Sequence, residues 1–201
     1  MRIMTKITKR FFDVIGAVAG LIFILPFTPF VALAIIFESG RPVFVKLDRV
    51  SKGKVIGVYK FRSMVLGAHK AKKNLAHLNE RDGPFFKIKD DPRLTGVGKF
   101  LRKFRLDEFP QFLNVLTGEL SLVGPRPHEP EEIDQYPPKF KELYFAKSGL
   151  TGLSQVSGAS ALPYYKELEL DLHYVKHRSL WLDLKILFRT VWIFFSDPTG
   201  V

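Results

Sequence analysis

Residues 14–37 read VIGAVAGLIFILPFTPFVALAIIF, and this run contains no charged side chain. A continuous helix of that length would be about 36 Å long, which is enough to cross the hydrocarbon core of a bilayer. Two prolines, Pro26 and Pro29, interrupt the run near its middle. Because each proline removes a helix hydrogen bond and crowds the preceding turn, we predict a helix break at this point.

The charges on both sides of the run bear on how it meets a membrane. The first flank carries Arg2, Lys6, Lys9 and Arg10 against Asp13. Residues 38–62 carry seven basic side chains against two acidic ones. Since both flanks are basic, the positive-inside rule gives no orientation for a span. A re-entrant hairpin over residues 1–40 enters and leaves by one face and removes this conflict; a kinked span is an equal alternative. A cleaved signal peptide is disfavoured because the run is too long.

The composition limits the classes of protein that fit. The chain has 201 residues, with 31 Lys and Arg against 20 Asp and Glu, and no cysteine. An apolar content of 46% excludes a disordered chain. The lack of cysteine excludes disulfide scaffolds, thiolate metal sites and cysteine nucleophiles. The net charge of +11 indicates a polyanionic partner, which is a nucleic acid, an anionic membrane surface or a phosphorylated substrate.

Residues 41–201 are predicted to form one compact, mostly helical unit with a small β-hairpin. Two β-branched runs around the turn SKGK predict the hairpin over residues 43–60. Helices are predicted at 65–80, 129–146, 161–177 and 179–196, with two short helices within 96–117 and an ordered loop over 82–92. The last helix contains Trp181 and Trp192, which suit an interfacial membrane helix and a core helix equally well.

A pair of carboxylates follows the densest basic stretch of the chain. Residues 60–105 hold thirteen basic and four acidic side chains, a net charge of +9, and Asp107 and Glu108 come directly after them. Acidic residues at a helix start are often explained by capping and the helix dipole. Beside so many cations they also suit phosphoryl transfer, in which a carboxylate binds a divalent metal or attacks phosphorus itself. The cations and the dipole would then keep Asp107 ionised.

Six motifs occur in one order along the chain. They are Lys9-Arg10-x-x-Asp13, YKFRSM at 59–64, GPFFKIKDDPRLTGVGKFLR at 83–102, RLDEFPQFLNVLTGELSLVGPRP at 105–127, GLTGLSQVSG at 149–158, and Asp171-x-x-Tyr174-Val175 before Ser179 and Asp183. Together they resemble the bacterial sugar transferase family, the small monotopic phosphoglycosyl transferases, also called undecaprenyl-phosphate sugar phosphotransferases. The resemblance extends from Lys9 to Arg189, nearly the whole chain.

The resemblance implies an enzyme that transfers a sugar-1-phosphate from a UDP-sugar to undecaprenyl or another polyprenyl phosphate and releases UMP. It implies a phosphosugar-aspartate intermediate and the first membrane step of exopolysaccharide or lipopolysaccharide (O-antigen-type) biosynthesis. The implied fold is monotopic, with a re-entrant helix and interfacial amphipathic helices that contact membrane lipids. The active site would face the cytoplasm at the bacterial inner membrane. The stretch GPFFK to DPR favours a simple hexose such as galactose or glucose, and a homodimer is a candidate assembly.

The resemblance also implies roles for individual residues. Asp107 matches the nucleophile and Glu108 its partner, and the two would hold Mg²⁺. The positions expected to bind substrate phosphates are Lys60, Arg102 and Arg126. The positions that match a membrane-surface motif are Lys9, Arg10 and Asp13, and the helix break falls at Pro26 and Pro29.

The sequence departs from the family pattern at three sites that involve four residues. Leu25 stands before the proline where the family often has a serine, so the hydroxyl that would bond the broken turn is missing; Pro29 is the expected compensation. Lys147-Ser148 replaces a common Arg-Pro, and Ala159 replaces a common arginine. The loss of that arginine bears on affinity or sugar specificity, and not on the chemistry of the carboxylate pair.

An alternative from another class is a non-enzymatic, membrane-anchored adaptor that binds anionic lipid or nucleic acid through its basic residues. It explains the charge and the apolar run but gives no reason for the DEFPQ and GPRP motifs. With the resemblance included, nucleic acid is the least favoured partner.

Overall fold

The structure, a computed structural model, describes residues 3–196. Residues 1–2 of the predicted 1–40 unit, which include Arg2, lie outside the described residues. So do residues 197–201 of the predicted 41–201 unit. The chain is mostly helical with a small antiparallel β-hairpin, as predicted.

The apolar run forms two helices rather than one. Helix α1 spans Ile3–Ile24 and α2 spans Thr28–Ser39. Within residues 3–196, no single helix has the length and apolarity needed to cross a membrane. Lys6–Ile24 and Thr28–Ser39 meet that requirement only as a pair, and the pair is bent by 60°.

The break lies at the predicted prolines. Pro26 is in the turn, and Pro29 is in the first turn of α2, where a missing N–H costs nothing. The hydroxyl of Thr28 donates to the carbonyl of Ile24 at 3.0 Å. Thr28 thus supplies, from the far side of the turn, the hydroxyl that Leu25 lacks.

The predicted hairpin is confirmed. Strand β1 (Phe44–Ser51) pairs antiparallel with β2 (Lys54–Phe61), and Lys60 lies opposite Val45. Asn114 fixes the hairpin to the rest of the chain. Its Oδ1 accepts the N–H of Tyr59 at 3.0 Å, and its Nδ2 donates to the carbonyl of Gly57 at 2.9 Å.

The middle of the chain contains shorter helical pieces than predicted. The predicted helix at 65–80 is a short α3 (Ala68–Ala71) followed by a 3-10 helix at Lys73–Leu78. The pair within 96–117 is confirmed as α4 (Gly96–Lys103) and α5 (Phe112–Thr117). A 3-10 helix at Leu106–Gln111 precedes α5, because Pro110 cannot donate a helical hydrogen bond.

The last third adds a parallel strand pair that the sequence pattern does not predict. Strands β3 (Ser121–Val123) and β4 (Gly149–Thr151) have three residues each, too few for an alternating pattern. The predicted helix at 129–146 is α6 (Pro130–Asp134) plus a 3-10 helix at Pro138–Phe145. The remaining elements are α7 (Leu153–Val156), a 3-10 turn at Ala159–Ala161, α8 (Tyr164–His177) and α9 (Leu180–Ser196).

One hydrophobic cluster joins α1 and α9 to the strands. It contains Ala17 of α1, Val115 of α5, Leu122 of β3 and Ile186 of α9, all buried. The other face of α9 is exposed and carries large apolar side chains, namely Trp181, Leu184, Phe188, Trp192 and Phe195. Helix α9 is therefore a core helix on one face and an unpartnered apolar surface on the other.

Candidate active site

A strained backbone residue presents the carboxylate pair. Arg105 has φ 53°, in the left-handed region that costs an L-residue about 1 kcal/mol or more. This turn ends α4 and starts the 3-10 helix that carries Asp107 and Glu108. The carbonyl of Arg105 accepts the N–H of Glu108 at 3.3 Å, which fixes the pair relative to the turn. Non-glycine residues in this conformation are often found at functional sites.

Lys60 on β2 bridges the two carboxylates. Its Nζ lies 2.6 Å from Oε1 of Glu108 and 3.8 Å from Oδ2 of Asp107. The Asp107 side chain is only 7% exposed, whereas that of Glu108 is 31% exposed. A single ammonium group thus partly neutralises two neighbouring negative charges, and one of them is almost fully removed from water.

The pKa values of the two carboxyl groups are shifted in opposite directions from their ordinary values. Burial raises the pKa of Asp107, and the charge of Glu108 adds to the rise; Lys60 opposes it without reversing it. Burial also disfavours ionised Glu108, but Lys60 and Arg126 outweigh that effect and lower its pKa to about 2. The prediction that the dipole and the cations hold Asp107 ionised stays a prediction, since burial, which is not visible in the sequence, disfavours the charged form while Lys60 and Arg102 favour it.

The other two predicted phosphate-binding residues lie near the pair. Arg102, in the last turn of α4, donates from Nε to Oγ of Ser63 at 3.1 Å, and its charge favours ionised Asp107. Arg126, in the loop after β3, favours ionised Glu108. The structure therefore brings Lys60, Arg102 and Arg126 together around the carboxylates.

Helix α8 supports the Arg126 loop with two acidic residues one turn apart. Oδ2 of Asp171 accepts the backbone N–H of Arg126 at 3.1 Å. Glu167 contacts His128 through Oε1 at 3.3 Å and Arg81 through Oε2 at 2.7 Å. The sequence motifs include Asp171 but not Glu167, so this network was not predicted. The available signal was the i, i+4 spacing of the two acids on a helix that is otherwise apolar on that face.

The residues of the predicted membrane-surface motif bind protein atoms. Lys9 contacts Oδ2 of Asp183 at 2.7 Å and the carbonyl of Val123 at 3.1 Å. Asp13 accepts the N–H of Leu122 at 2.9 Å. Arg10 caps the end of α5 by donating to two carbonyls at 2.6 Å, those of Val115 and Leu116. The motif fastens α1 to β3, α5 and α9, away from the carboxylate pair.

The carboxylate pair has the chemistry of a magnesium site. No group of three or more acidic, histidine or cysteine side chains is arranged around a metal position in the part of the chain that the structure describes. Mg²⁺ does not require one, since it is commonly held by one or two carboxylates, with water and substrate phosphates as the remaining ligands. Asp107 and Glu108 supply two such carboxylates beside three cations that suit phosphates, so the donor set fits the ion.

The family departures have different structural consequences. Ser148 donates from its hydroxyl to the carbonyl of Val50 at 2.9 Å and from its N–H to Oγ of Ser51 at 3.2 Å, and a proline could make neither bond. Burial lowers the pKa of Lys147 to about 8. Ala159 is buried and has φ 48°, in the left-handed region that L-residues seldom adopt.

Comparison with known proteins identifies the family that the chain matches. The family model described as bacterial sugar transferase matches residues 4–197. The chain is 41% identical over 187 residues to the galactosyl transferase CpsE of Streptococcus agalactiae, which covers 92% of this chain and 41% of that protein. It is 39% identical over 194 residues to the undecaprenyl-phosphate galactose phosphotransferase of Salmonella typhimurium, covering 92% and 40%.

A shorter relative matches over most of its own length. The exopolysaccharide production protein ExoY of Sinorhizobium fredii is 37% identical over 190 residues, which is 92% of this chain and 84% of that protein. The chain thus spans about two fifths of the length of the longer relatives, 41% and 40% in these two cases. With a family model that matches almost every residue and relatives above 30% identity, the chain belongs to the bacterial sugar transferase family.

Proposed function

We propose that the protein transfers a sugar-1-phosphate from a UDP-sugar to undecaprenyl phosphate, or a related polyprenyl phosphate, and releases UMP. Similar proteins carry the names undecaprenyl-phosphate galactose phosphotransferase and UDP-glucose:undecaprenyl-phosphate glucose-1-phosphate transferase. The observation that carries the proposal is the buried Asp107 beside the Glu108–Lys60 ion pair. An adaptor that binds lipid or nucleic acid gives this buried arrangement no role.

The first step uses Asp107 as a nucleophile. An oxygen of its carboxylate attacks the sugar-bearing phosphorus, forms an acyl phosphate that joins Asp107 to the sugar phosphate, and breaks the bond from that phosphorus to the bridging oxygen. That oxygen leaves with both bonding electrons as part of UMP, so no proton transfer is needed. Lys60 and Arg102 favour the ionised form of Asp107 that this attack requires.

The second step returns the carboxylate to its starting state. A phosphate oxygen of the polyprenyl acceptor attacks the same phosphorus, and the bond from phosphorus to Asp107 breaks. The product is a polyprenyl diphosphate sugar. Arg126, whose guanidinium has no direct partner among the described residues, is available to neutralise phosphate charge in either step.

Asp107 and Glu108 would hold the Mg²⁺ of the proposal. When bound, the ion supplies positive charge that favours ionised Asp107 and neutralises the substrate diphosphate. Glu108, which is ionised at neutral pH, is the better pre-formed ligand of the two.

The proposed setting is the cytoplasmic face of a bacterial inner membrane. The bent α1–α2 pair enters the bilayer and returns by the same face, and the exposed face of α9 lies in the interface. This brings the site to the membrane surface, where a lipid phosphate and a soluble UDP-sugar meet. The sugar is proposed to be a hexose, since names of relatives specify galactose and glucose, although one specifies N-acetylgalactosamine.

The variant Asp107→Asn tests the proposal. It retains the size of the side chain but removes the nucleophile, so UMP release from a UDP-sugar panel with undecaprenyl phosphate should fall about 1,000-fold or more. Intact-mass measurement after incubation with UDP-sugar alone should show the sugar-phosphate adduct on the wild type and not on the variant. The matched control is Asp48→Asn, an exposed aspartate on β1. Turnover like that of the wild type in a folded Asp107→Asn protein would contradict the proposal.

A further inference from the structure

Residues 79–89 form a loop whose backbone is stabilised by hydrogen bonds to the side chain of Asn79. Oδ1 of Asn79 accepts the N–H groups of Arg81 at 3.2 Å and Lys87 at 2.8 Å. Its Nδ2 donates to the carbonyl of Phe85 at 2.9 Å. The N–H of Glu80 donates to the carbonyl of Lys87 at 2.9 Å. The backbone at Lys87 is therefore fixed on both its N–H and its C=O side.

The same loop is anchored beside the Arg126 segment. Arg81 forms an ion pair with Glu167 at 2.7 Å, and Glu167 contacts His128 at 3.3 Å. The ring of Phe85 packs against the ring of His128, with 4.2 Å between their centroids. Because His128 is two residues after Arg126, these contacts place the loop against the segment that carries Arg126.

Lys87 is a cation without a direct partner in this position. Its side chain is half-buried, and its ammonium group forms no hydrogen bond or salt bridge with any part of the chain that the structure describes. Burial, followed by the charge of Arg81, lowers the pKa of Lys87, and Arg126 adds to this effect; Glu80 offsets only part of it. Lys60 differs, since Glu108 and Asp107 already neutralise it.

We propose that Lys87 binds a phosphate group of the substrate together with Arg126. This rests on the proposed function and adds a residue to its binding site. Arg81 is ion-paired with Glu167, and nearby carboxylates favour the charge of Arg126, whereas the half-buried ammonium of Lys87 has no direct carboxylate contact among the described residues, so an anion bound beside it would be favourable. A phosphate provides several acceptor oxygens for such a set and removes the repulsion. The phosphate is either part of the UDP-sugar diphosphate or that of the polyprenyl acceptor.

The test compares Lys87→Met with Lys89→Met. Lys89 is an exposed lysine two residues further along the same loop, so it controls for the loss of one positive charge. Lys87→Met should raise one KM by about tenfold or more with a smaller change in kcat, Lys89→Met should leave both KM values unchanged, and Lys87→Arg should restore most of the loss. A weaker equilibrium affinity for UDP in Mg²⁺ buffer without lipid assigns the donor diphosphate. A raised KM for polyprenyl phosphate alone assigns the acceptor.

Stability separates a binding role from a structural one. Since burial and neighbouring cations disfavour the charge of Lys87 and Glu80 offsets only part of this effect, Lys87→Met should unfold at the same or a higher temperature than the wild type without ligand. UDP should then stabilise the variant less than the wild type. Unchanged KM values and unchanged UDP affinity would overturn the proposal, and so would a loss of stability without ligand, in Lys87→Met and in Lys87→Gln alike.

The proposed function fails independently of this inference. If the wild type binds UDP but gives no UMP release with any UDP-sugar, the function is contradicted, and the effect of Lys87→Met on UDP affinity still decides the role of Lys87. If the wild type releases UMP and Lys87→Met matches it in every constant, only the inference is contradicted. A wild type that neither binds UDP nor releases UMP contradicts both.

Discussion

The carboxylate of Glu167 contacts two basic side chains from different parts of the chain. Its side chain is 3% exposed, and it lies 2.7 Å from Arg81 and 3.3 Å from His128. Burial opposes its ionisation, but His128, Arg126 and Arg81 outweigh this effect and lower its pKa to about 2. One residue thus joins α8 to the loop that carries Lys87 and to the loop that carries Arg126.

Glu167→Gln tests this role through pH. A carboxyl whose pKa is lower in the folded state than its ordinary 4.5 stabilises the fold above pH 4.5, and this contribution is lost as pH falls toward about 2. The variant should therefore lose about 3 kcal/mol of unfolding free energy at neutral pH, and its difference from the wild type should shrink below pH 4.5. Denaturant unfolding across this range measures it, with Glu169→Gln, exposed on the same helix, as the control. A difference that does not change with pH would mean that Glu167 only fills space.

Asp171, one turn later on α8, has its pKa shifted in the opposite direction to that of Glu167, and its effect on stability occurs at a higher pH. Burial raises its pKa to about 6, so ionising it between its ordinary 3.8 and about 6 destabilises the fold. The wild type should consequently be less stable at neutral pH than near pH 4 by the Asp171 contribution. The charge of Glu167 contributes to this rise, so Glu167→Gln should also lower the pKa of Asp171 and reduce its destabilising effect at neutral pH.

At this scale the motifs predicted which residues meet, but not the environment in which they meet. Lys60, Arg102 and Arg126 lie around Asp107 and Glu108, as the resemblance implied. The raised pKa of Asp107 depends on burial by residues distant in the sequence, and no local pattern records it. The partners of Lys9 and Asp13 are likewise over one hundred positions away, so the sequence of the membrane-surface motif does not show which protein atoms its residues contact.

Among the elements, the α1–α2 break is the one that local sequence predicts best. Pro26 and Pro29 mark its position because proline acts on its own backbone. The compensating hydroxyl of Thr28 was not predicted, since its acceptor depends on the geometry of the turn. The strands β3 and β4 were missed for a related reason, because they are defined by pairing with each other across 28 residues and not by their own side chains.

Thr28→Val tests whether the hydroxyl stabilises the bend. Valine has the same shape but cannot donate to the carbonyl of Ile24, now 3.0 Å away, so the variant should lose about 1 kcal/mol of stability. Thr28→Ser keeps the hydroxyl and should remain close to the wild type. Unfolding in detergent or lipid nanodiscs measures both. Equal stability of the Val and Ser variants would show that the prolines alone set the bend.

At the scale of the whole molecule, the helices α1, α2 and α9 all carry large apolar side chains that are exposed. The exposed large apolar side chains of α1 include Phe11, Ile22 and Phe23, those of α2 include Phe30 and Phe37, and those of α9 include Trp181, Phe188 and Trp192. The ring of Phe109, two residues after Asp107, contacts Phe23 of α1 at 6.0 Å and Phe194 of α9 at 6.1 Å. The segment that carries the carboxylate pair thus packs directly against the helices that would meet the bilayer.

This arrangement predicts the topology of the chain in a membrane. Because the sequence lacks cysteine, single variants Lys6→Cys and Lys46→Cys report the two sides of the α1–α2 pair, and both positions are exposed. If the pair is re-entrant, a membrane-impermeant thiol reagent should label both in inside-out vesicles and neither in intact cells or right-side-out vesicles. A third variant, Leu25→Cys at the bend, should resist the reagent from both sides until detergent is added. Labelling of Lys6→Cys and Lys46→Cys from opposite sides would show that the bent pair crosses the bilayer, and the proposed monotopic placement of the site would then be wrong.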